Sequence, residues 1–293
     1  MLSPEREIRR QIKETGLITF ARFMELALYG RAGGYYSARS RVGGNGDFYT
    51  GPVAHPVFGT LICLQLYQMW GNLGCPNPFW AVEVGSGNGV LSSDVLSCAP
   101  QLGSRFLESL RYVCLDRYPT VIGLQDFEDI KSPTGIISTD GMPLKGVVGC
   151  ILSNELLDSF PVHKLTMDGG VLKEVYVTVR EGKYVELLDL PSTPLLEDRL
   201  RRVGIVPAEG SCLEVNLVME TWLEAVATSL ERGYVLTIDY GDLSKELYSA
   251  SNRRGTLVTY RNHVQRDDPY SHIGEQDITS KVDFTALMEV GQS

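Results

Sequence analysis

The chain has 293 residues, 43% of them hydrophobic, enough apolar material for one large domain or two small ones around a packed core. Its 27 basic and 36 acidic residues leave a net charge of -9, which argues against nucleic acid as a partner because phosphate neutralisation needs a basic face. No apolar run reaches the length of a membrane span, and "MLSPEREIRRQIKETG" lacks the apolar stretch of a leader, so a cytoplasmic protein without membrane contact is the expectation.

In chain order, residues 3–29 read as two short helices. Ser3 caps the first, with Pro4 at its first turn, and Gly16 ends it. Thr19 caps the second, whose Phe20, Phe23, Met24 and Ala27 form a helical apolar stripe. A loop rich in glycine and tyrosine follows and ends at Pro52. Its tyrosines 35, 36 and 49 either line a pocket or pack on the neighbouring helix. The next helix covers roughly 55–70.

The pattern then changes. "FWAVEVG" reads as a first strand and "NGVLSSDVLSCA" as a helix. "RYVCLD" is a second strand, "YPTVIGLQDFEDI" a helix, "GIISTD" a third strand and "GVVGCILSNE" a fourth. Short apolar runs alternating with helical patterns make this an α/β protein with a parallel sheet covered by helices on both faces. From 162 to 190 the period falls to two, with turn signals at Asp168-Gly169-Gly170 and Glu181-Gly182-Lys183, which predicts an antiparallel β insertion. A long helix over 215–231 leads to "YVLTIDYG", the fifth strand. The remainder, 242–293, reads as mostly loop with one helix starting near Asp283.

Ligands of an open parallel sheet sit outside the carboxyl ends of its strands. Those ends are polar here: Glu83 to Gly89, Asp116, Asp140, Asn154 to Asp158, and Asp239 to Gly241. The glycine loop is Gly85, Gly87 and Gly89 in a GxGxG spacing, where glycine lets the turn close and the backbone approach a ligand. Asp116 ends the next strand, where an acid accepts hydrogen bonds from both ribose hydroxyls of NAD or S-adenosylmethionine. The acid before the loop separates these ligands. Glu83 would repel a pyrophosphate and suits the ammonium and sulfonium of S-adenosylmethionine. An NAD-dependent oxidoreductase is therefore the weaker alternative.

"LSNELLDSFP" ends the fourth strand and places Asn154, Glu155 and Asp158 where a methyl acceptor would approach. Amide and nucleic-acid base methyltransferases commonly carry Asn/Asp-Pro-Pro-aromatic at this point, and this chain lacks both the prolines and the aromatic. Two carboxylates suit a guanidinium, which they can orient bidentately and relieve of its proton. The plain alternative is that Glu155 and Asp158 cap the following helix. His163 and His263 are further candidate bases. Six cysteines without a CxxC pair read as free thiols in a reducing compartment, and no metal site is expected.

Together, "ITFARFMELALYGRAGGYY", "GDFYTGP", "VEVGSGNGVLSSDVL", "SNELLDSFPVHK", "LTIDYG" and "GEQDITSKVDF" resemble the MidA family of S-adenosylmethionine-dependent methyltransferases over about 18–284. The resemblance implies a class I methyltransferase fold acting on an arginine-containing protein substrate. It divides the chain into 1–75, a helical extension with a loop covering the cofactor, and 76–293, the methyltransferase domain with its insertion at about 162–190. It places cofactor binding on Gly85, Gly87, Gly89 and Asp116, to which the strand-end reading adds Glu83 and Asp140, and the acceptor motif on Asn154, Glu155 and Asp158. The family's "GDF" falls on Gly46, Asp47 and Phe48, which would fold over the cofactor. Class I sheets usually end in two more strands, for which no sequence remains after "DFTALMEVGQS", so the expectation is either a fragment or a sheet edge covered otherwise. An uncovered fifth strand would favour self-association. A second class of function is an assembly or binding factor that keeps the fold without catalysis.

Overall fold

The computed structural model describes residues 3–37, 55–119 and 134–292. Two compact units divide the chain. One joins Met1–Arg41, Leu157–Leu223 and Asp239–Ser293, and the other joins Val42–Leu156 and Glu224–Ile238.

The second unit is built on one sheet. Its strands are Phe79–Val84, Leu110–Asp116, Thr134–Ser138, Val147–Asn154 and Leu230–Ile238, here the first to the fifth. They lie in the order fifth, fourth, first, second, third, and every pairing is parallel. The apolar runs of the first, second and fourth strands are buried, while the third and fifth are half-buried to exposed. Phe79, Ala81, Leu110, Tyr112, Cys114, Cys150 and Leu152 join one cluster with Ile62, Cys63 and Leu66 of the helix Val57–Asn72 and Leu91, Val95 and Leu96 of the helix Val90–Cys98. At φ 156° a side chain would point into the neighbouring first strand at Gly149. A Cβ there would lie 1.9 Å from the Trp80 carbonyl oxygen, and a Cβ on Gly233 would meet the Gly149 oxygen at the same distance. Only glycine fits either position. The predicted helix over 118–130 lies almost wholly outside the described residues.

The first unit holds the N-terminal helices and the β insertion. Ser3 accepts the Arg6 N–H at 3.3 Å to open the helix Pro4–Thr15, and Gly16 closes it at φ 86°. Thr19 accepts the Arg22 N–H at 3.1 Å to open Phe20–Tyr29. Ile8, Phe20, Phe23, Met24 and Leu28 bury themselves with Val162, Val177 and Ile278. In the insertion, His163–Asp168, Val171–Arg180 and Lys183–Asp189 form an antiparallel meander. Its two turns, Gly169-Gly170 and Glu181-Gly182, have positive φ at both central residues, which matches the right-handed twist of the flanking strands. The meander acquires two neighbours that periodicity does not reveal. The strand Cys212–Val215 pairs with His163–Asp168, and the helix Leu195–Arg202 packs Leu196 and Leu200 on Leu165, Leu213 and Val215.

The expectation of mostly loop after residue 242 needs correction. A helix does run over Phe284–Gln292, but Val258–Arg261, Val264–Arg266 and Asp277–Thr279 form a three-stranded antiparallel sheet, and Gly241–Asp242 pairs with Val282–Asp283. These strands have at most four residues each, too short for an alternating pattern to register.

Candidate functional site

The strand order reverses direction between the first and fourth strands, which is where an open parallel sheet opens a crevice at its carboxyl edge. The glycine loop leaves the first strand there, and Asn154-Glu155 leaves the fourth. The two loops meet: a Cβ on Gly85 would come within 2.8 Å of Leu156 Cδ1. Gly85, Gly87 and Gly89 have φ of 76°, 52° and 77°, so the loop takes the left-handed conformation at alternate residues. Gly85 N–H donates to the Leu115 carbonyl at 2.8 Å, tying the loop to the second strand.

Asp116 sits beside this loop, half-buried. One carboxylate oxygen accepts the Gly87 N–H at 2.9 Å and the other the Tyr118 N–H at 2.8 Å. Each oxygen keeps a second lone pair, so a ribose diol can be held while the backbone fixes the acid. Backbone cradle and oriented acid together fit the nucleoside part of S-adenosylmethionine. Glu83 lies one step inside the strand and is only 4% exposed. The Tyr112 hydroxyl donates to its Oε2 at 2.8 Å. Burial outweighs that bond and pushes the Glu83 carboxyl up to about 8, and the charge of Asp116 adds to the shift. Asp140 is exposed behind the third strand, at the outer edge of the sheet. Asp47 lies outside the described residues, as do Gly46, Phe48 and Tyr49.

On the acceptor side, Asn154 ends the fourth strand in register with Ile238 of the fifth. Glu155 takes φ 48°, uncommon for a residue with a side chain, and its N–H donates to the Ile238 carbonyl at 2.8 Å. The other acid belongs to the first unit. Asp158 is the half-buried middle residue of the short 3-10 turn Leu157–Ser159, between buried Leu157 and Ser159. A three-residue turn is no helix for Asp158 to cap.

Two residues outside the site expectations touch this turn. Asp239 accepts the Leu157 N–H at 2.8 Å, and the Asn216 side-chain amide donates to the Leu157 carbonyl at 3.1 Å. Asp239 is foreshadowed by its place after the fifth strand. Asn216 announces itself only as the residue two positions before a helix, where its oxygen accepts the Met219 N–H at 2.9 Å. His163 is committed elsewhere in the first unit, with Nδ1 2.7 Å from the buried Glu174 carboxylate. Tyr35 is a core residue, and Tyr36 donates to Asp277 at 2.9 Å while stacking on Tyr29.

All six cysteines are free, and among the described residues no cluster of histidine, cysteine and acid is arranged to hold a metal. No helix among them is long and apolar enough to cross a membrane.

Comparison with known proteins bears on the family, the fold and the cofactor. A family model described as "Putative S-adenosyl-L-methionine-dependent methyltransferase" matches residues 61–293. The chain is 28% identical to the Drosophila melanogaster "Protein arginine methyltransferase NDUFAF7 homolog, mitochondrial", over 98% of this chain and 70% of that protein. It is 26% identical to the Homo sapiens "Protein arginine methyltransferase NDUFAF7, mitochondrial", over 98% of this chain and 68% of that protein. A crystal structure from Burkholderia thailandensis, a "likely methyl transferase" bound to S-adenosyl-homocysteine, superposes with a TM-score of 0.86 at 26% identity, covering 99% of this chain and 75% of that one.

Proposed function

The chain belongs to the S-adenosyl-L-methionine-dependent methyltransferase family whose model spans residues 61–293, and from that premise we propose that it methylates an arginine side chain of a protein. The methyl-donor cofactor follows from the family and from the cofactor-product complex of its structural neighbour. The arginine acceptor is supported by the relatives named as protein arginine methyltransferases and by the acids of the acceptor loop. The observation that carries the reading is Glu155, a half-buried carboxylate beside the topological switch point, on the loop that touches the glycine loop.

When bound, S-adenosylmethionine supplies a methyl group activated by its sulfonium. The chain's own residues do the rest. Gly85, Gly87 and Gly89 give the cofactor close backbone approach. Asp116 takes the ribose hydroxyls, and Glu83 supplies negative charge near the donor's cations. Asp140 is assigned to the outer part of the cofactor site, and Asp47 to its cover. Glu155 and Asp158 accept hydrogen bonds from the guanidinium and orient one nitrogen, and a carboxylate takes the proton that nitrogen loses as it gains the methyl. Asn154 holds the start of the loop. Alignment and exclusion of water are the main catalytic tasks because the donor is already reactive.

The test is transfer of tritiated methyl from S-adenosylmethionine to arginine-rich peptides, followed by acid hydrolysis and identification of the labelled amino acid. Methylarginine is expected. Glu155→Gln should lower transfer by roughly 100-fold or more while changing cofactor affinity by less than about threefold. Label in lysine or glutamine would overturn the acceptor assignment, as would full activity in the mutant. We also propose a reducing compartment, the cytoplasm, on the strength of the six free thiols. Self-association through the outer edge of the fifth strand is proposed with it, since among the described residues that strand pairs only with the fourth.

A further inference from the structure

Four separated segments of the first unit converge on the turn Leu157–Ser159. Asp239, after the fifth strand, takes the Leu157 N–H at 2.8 Å, and Asn216, two residues before the helix Val218–Ser229, gives its amide to the Leu157 carbonyl at 3.1 Å. Ser280 donates its N–H to the Asp158 carbonyl at 2.9 Å. Tyr29, closing the second helix, donates to the Ser159 carbonyl at 3.1 Å and lies 2.8 Å from its hydroxyl. Three of these residues fall in sequence stretches that the cofactor and acceptor assignments leave unused: "ELALYG", "LTIDYG" and "DITSK".

A buried turn must satisfy its backbone groups somewhere. A turn of three residues has too few internal bonds to hold one conformation, so the partners must be external. Here they are three side chains and the backbone N–H of Ser280, one residue past the strand Asp277–Thr279. Asp239 is the strongest of them, because a carboxylate accepting an N–H makes a charge-assisted bond. Its second oxygen accepts the Tyr240 N–H at 2.8 Å, so the acid is itself held from two sides. Asn216 is anchored by the Met219 N–H at 2.9 Å. Leu157 and Ser159, on either side of Asp158, are thus fixed, and Asp158 is the residue left half-exposed between them.

We propose that Asp239 and Asn216 are positioning residues for methyl transfer: they hold the Leu157 peptide groups and so fix the backbone that carries Asp158 in one orientation. This rests on the arginine-methylation reading for the identity of the acceptor. The clamp itself rests on the four hydrogen bonds alone. Because both residues act on the acceptor turn, their loss should lower kcat without lowering cofactor affinity. A displacement on the order of 1 Å at an acceptor-orienting acid costs about 100-fold in rate.

The experiment compares the unaltered chain with Asp239→Ala, Asp239→Asn and Asn216→Ala. Three quantities are read: steady-state methylation of an arginine-rich peptide, S-adenosylmethionine affinity by calorimetry, and amide hydrogen exchange across 155–160. Asp239→Ala and Asn216→Ala should each lower kcat by roughly 10- to 100-fold with cofactor Kd within about threefold, and speed exchange of the Leu157 amide. Asp239→Asn should recover part of the rate lost in Asp239→Ala, because its one amide oxygen can still accept the Leu157 N–H while its NH2 faces the Tyr240 N–H. Unchanged kcat and unchanged exchange in both alanine variants would overturn the proposal. A loss of rate that merely tracks a loss of cofactor binding would overturn it too, as would failure of Asp239→Asn to recover. Should an alanine variant not fold, Asp239→Asn against Asp239→Ser carries the same comparison with smaller disturbance. If the unaltered chain methylates no arginine peptide while the exchange changes appear, the arginine reading fails and the clamp stands.

Discussion

A carboxyl group buried between two strands keeps its proton until a cation comes near. Glu83 is in that position: it is 4% exposed, and burial pushes it up to about 8 against the opposing pull of the Tyr112 hydroxyl. The sign follows from linkage. A raised carboxyl pKa means that the folded chain holds a proton the unfolded chain has released. Stability from this group is therefore complete below its ordinary value of 4.5 and is lost as pH rises through about 8. A bound cation reverses the preference by favouring the ionised form, so if the cofactor's cation binds beside Glu83 as proposed, binding must release a proton in that window. Affinity for S-adenosylmethionine should tighten with pH by up to about tenfold per unit between pH 6.5 and 7.5. Calorimetry in buffers of different ionisation enthalpy should register the released proton. Glu83→Gln should weaken binding and flatten the profile, and an unchanged slope in that variant would remove Glu83 from the cofactor site.

At the scale of elements, the tightest constraint is the glycine row across the sheet. Gly233 and Gly149 are paired in register, and Trp80 of the first strand stands opposite Gly149. A methyl at Gly149 would have to displace the Trp80 backbone, and no side-chain motion relieves a clash with a carbonyl. Gly149→Ala should cost on the order of 3 kcal/mol and lower the thermal midpoint by several degrees. A wild-type midpoint in that variant would mean that the strands can part freely. What was legible in the sequence divides along similar lines. Caps at Ser3 and Thr19, the stop at Gly16 and the turns at Gly169-Gly170 and Glu181-Gly182 are local signals, and each bounds an element as read. The hairpin at Asn262-His263 escapes because both residues take positive φ without any glycine to mark it. The helix Leu195–Arg202 and the strand Cys212–Val215 escape because their partners lie on the insertion, far away in sequence. The candidate site divides in the same way. The glycine loop, Asp116 and Glu155 are legible from their places at strand ends. The burial of Glu83 and the grip of Asn216 on Leu157 depend on packing that no local pattern encodes.

At the scale of the whole molecule, charge favours the proposed substrate before any contact is made. Thirty-six acids against 27 bases give the chain a net charge of -9, a field that attracts a cationic peptide and repels acidic ones. Such attraction acts over a Debye length, about 10 Å at 0.1 M salt, and shortens as salt is added. It speeds encounter more than it strengthens the final contacts. The expected signature is therefore in kcat/KM for the peptide. With a peptide carrying several arginines, kcat/KM should fall by roughly fivefold or more between 50 and 300 mM salt, while kcat stays nearly constant. A peptide with one arginine among neutral residues should show a flatter dependence, because fewer charges feel the field. Cofactor affinity should change less than kcat/KM for the multi-arginine peptide, since S-adenosylmethionine carries a single net positive charge against several on that peptide. A salt-independent kcat/KM for the multi-arginine peptide would show that the acceptor is recognised by contact alone and that the acidic balance of the chain plays no part in finding it.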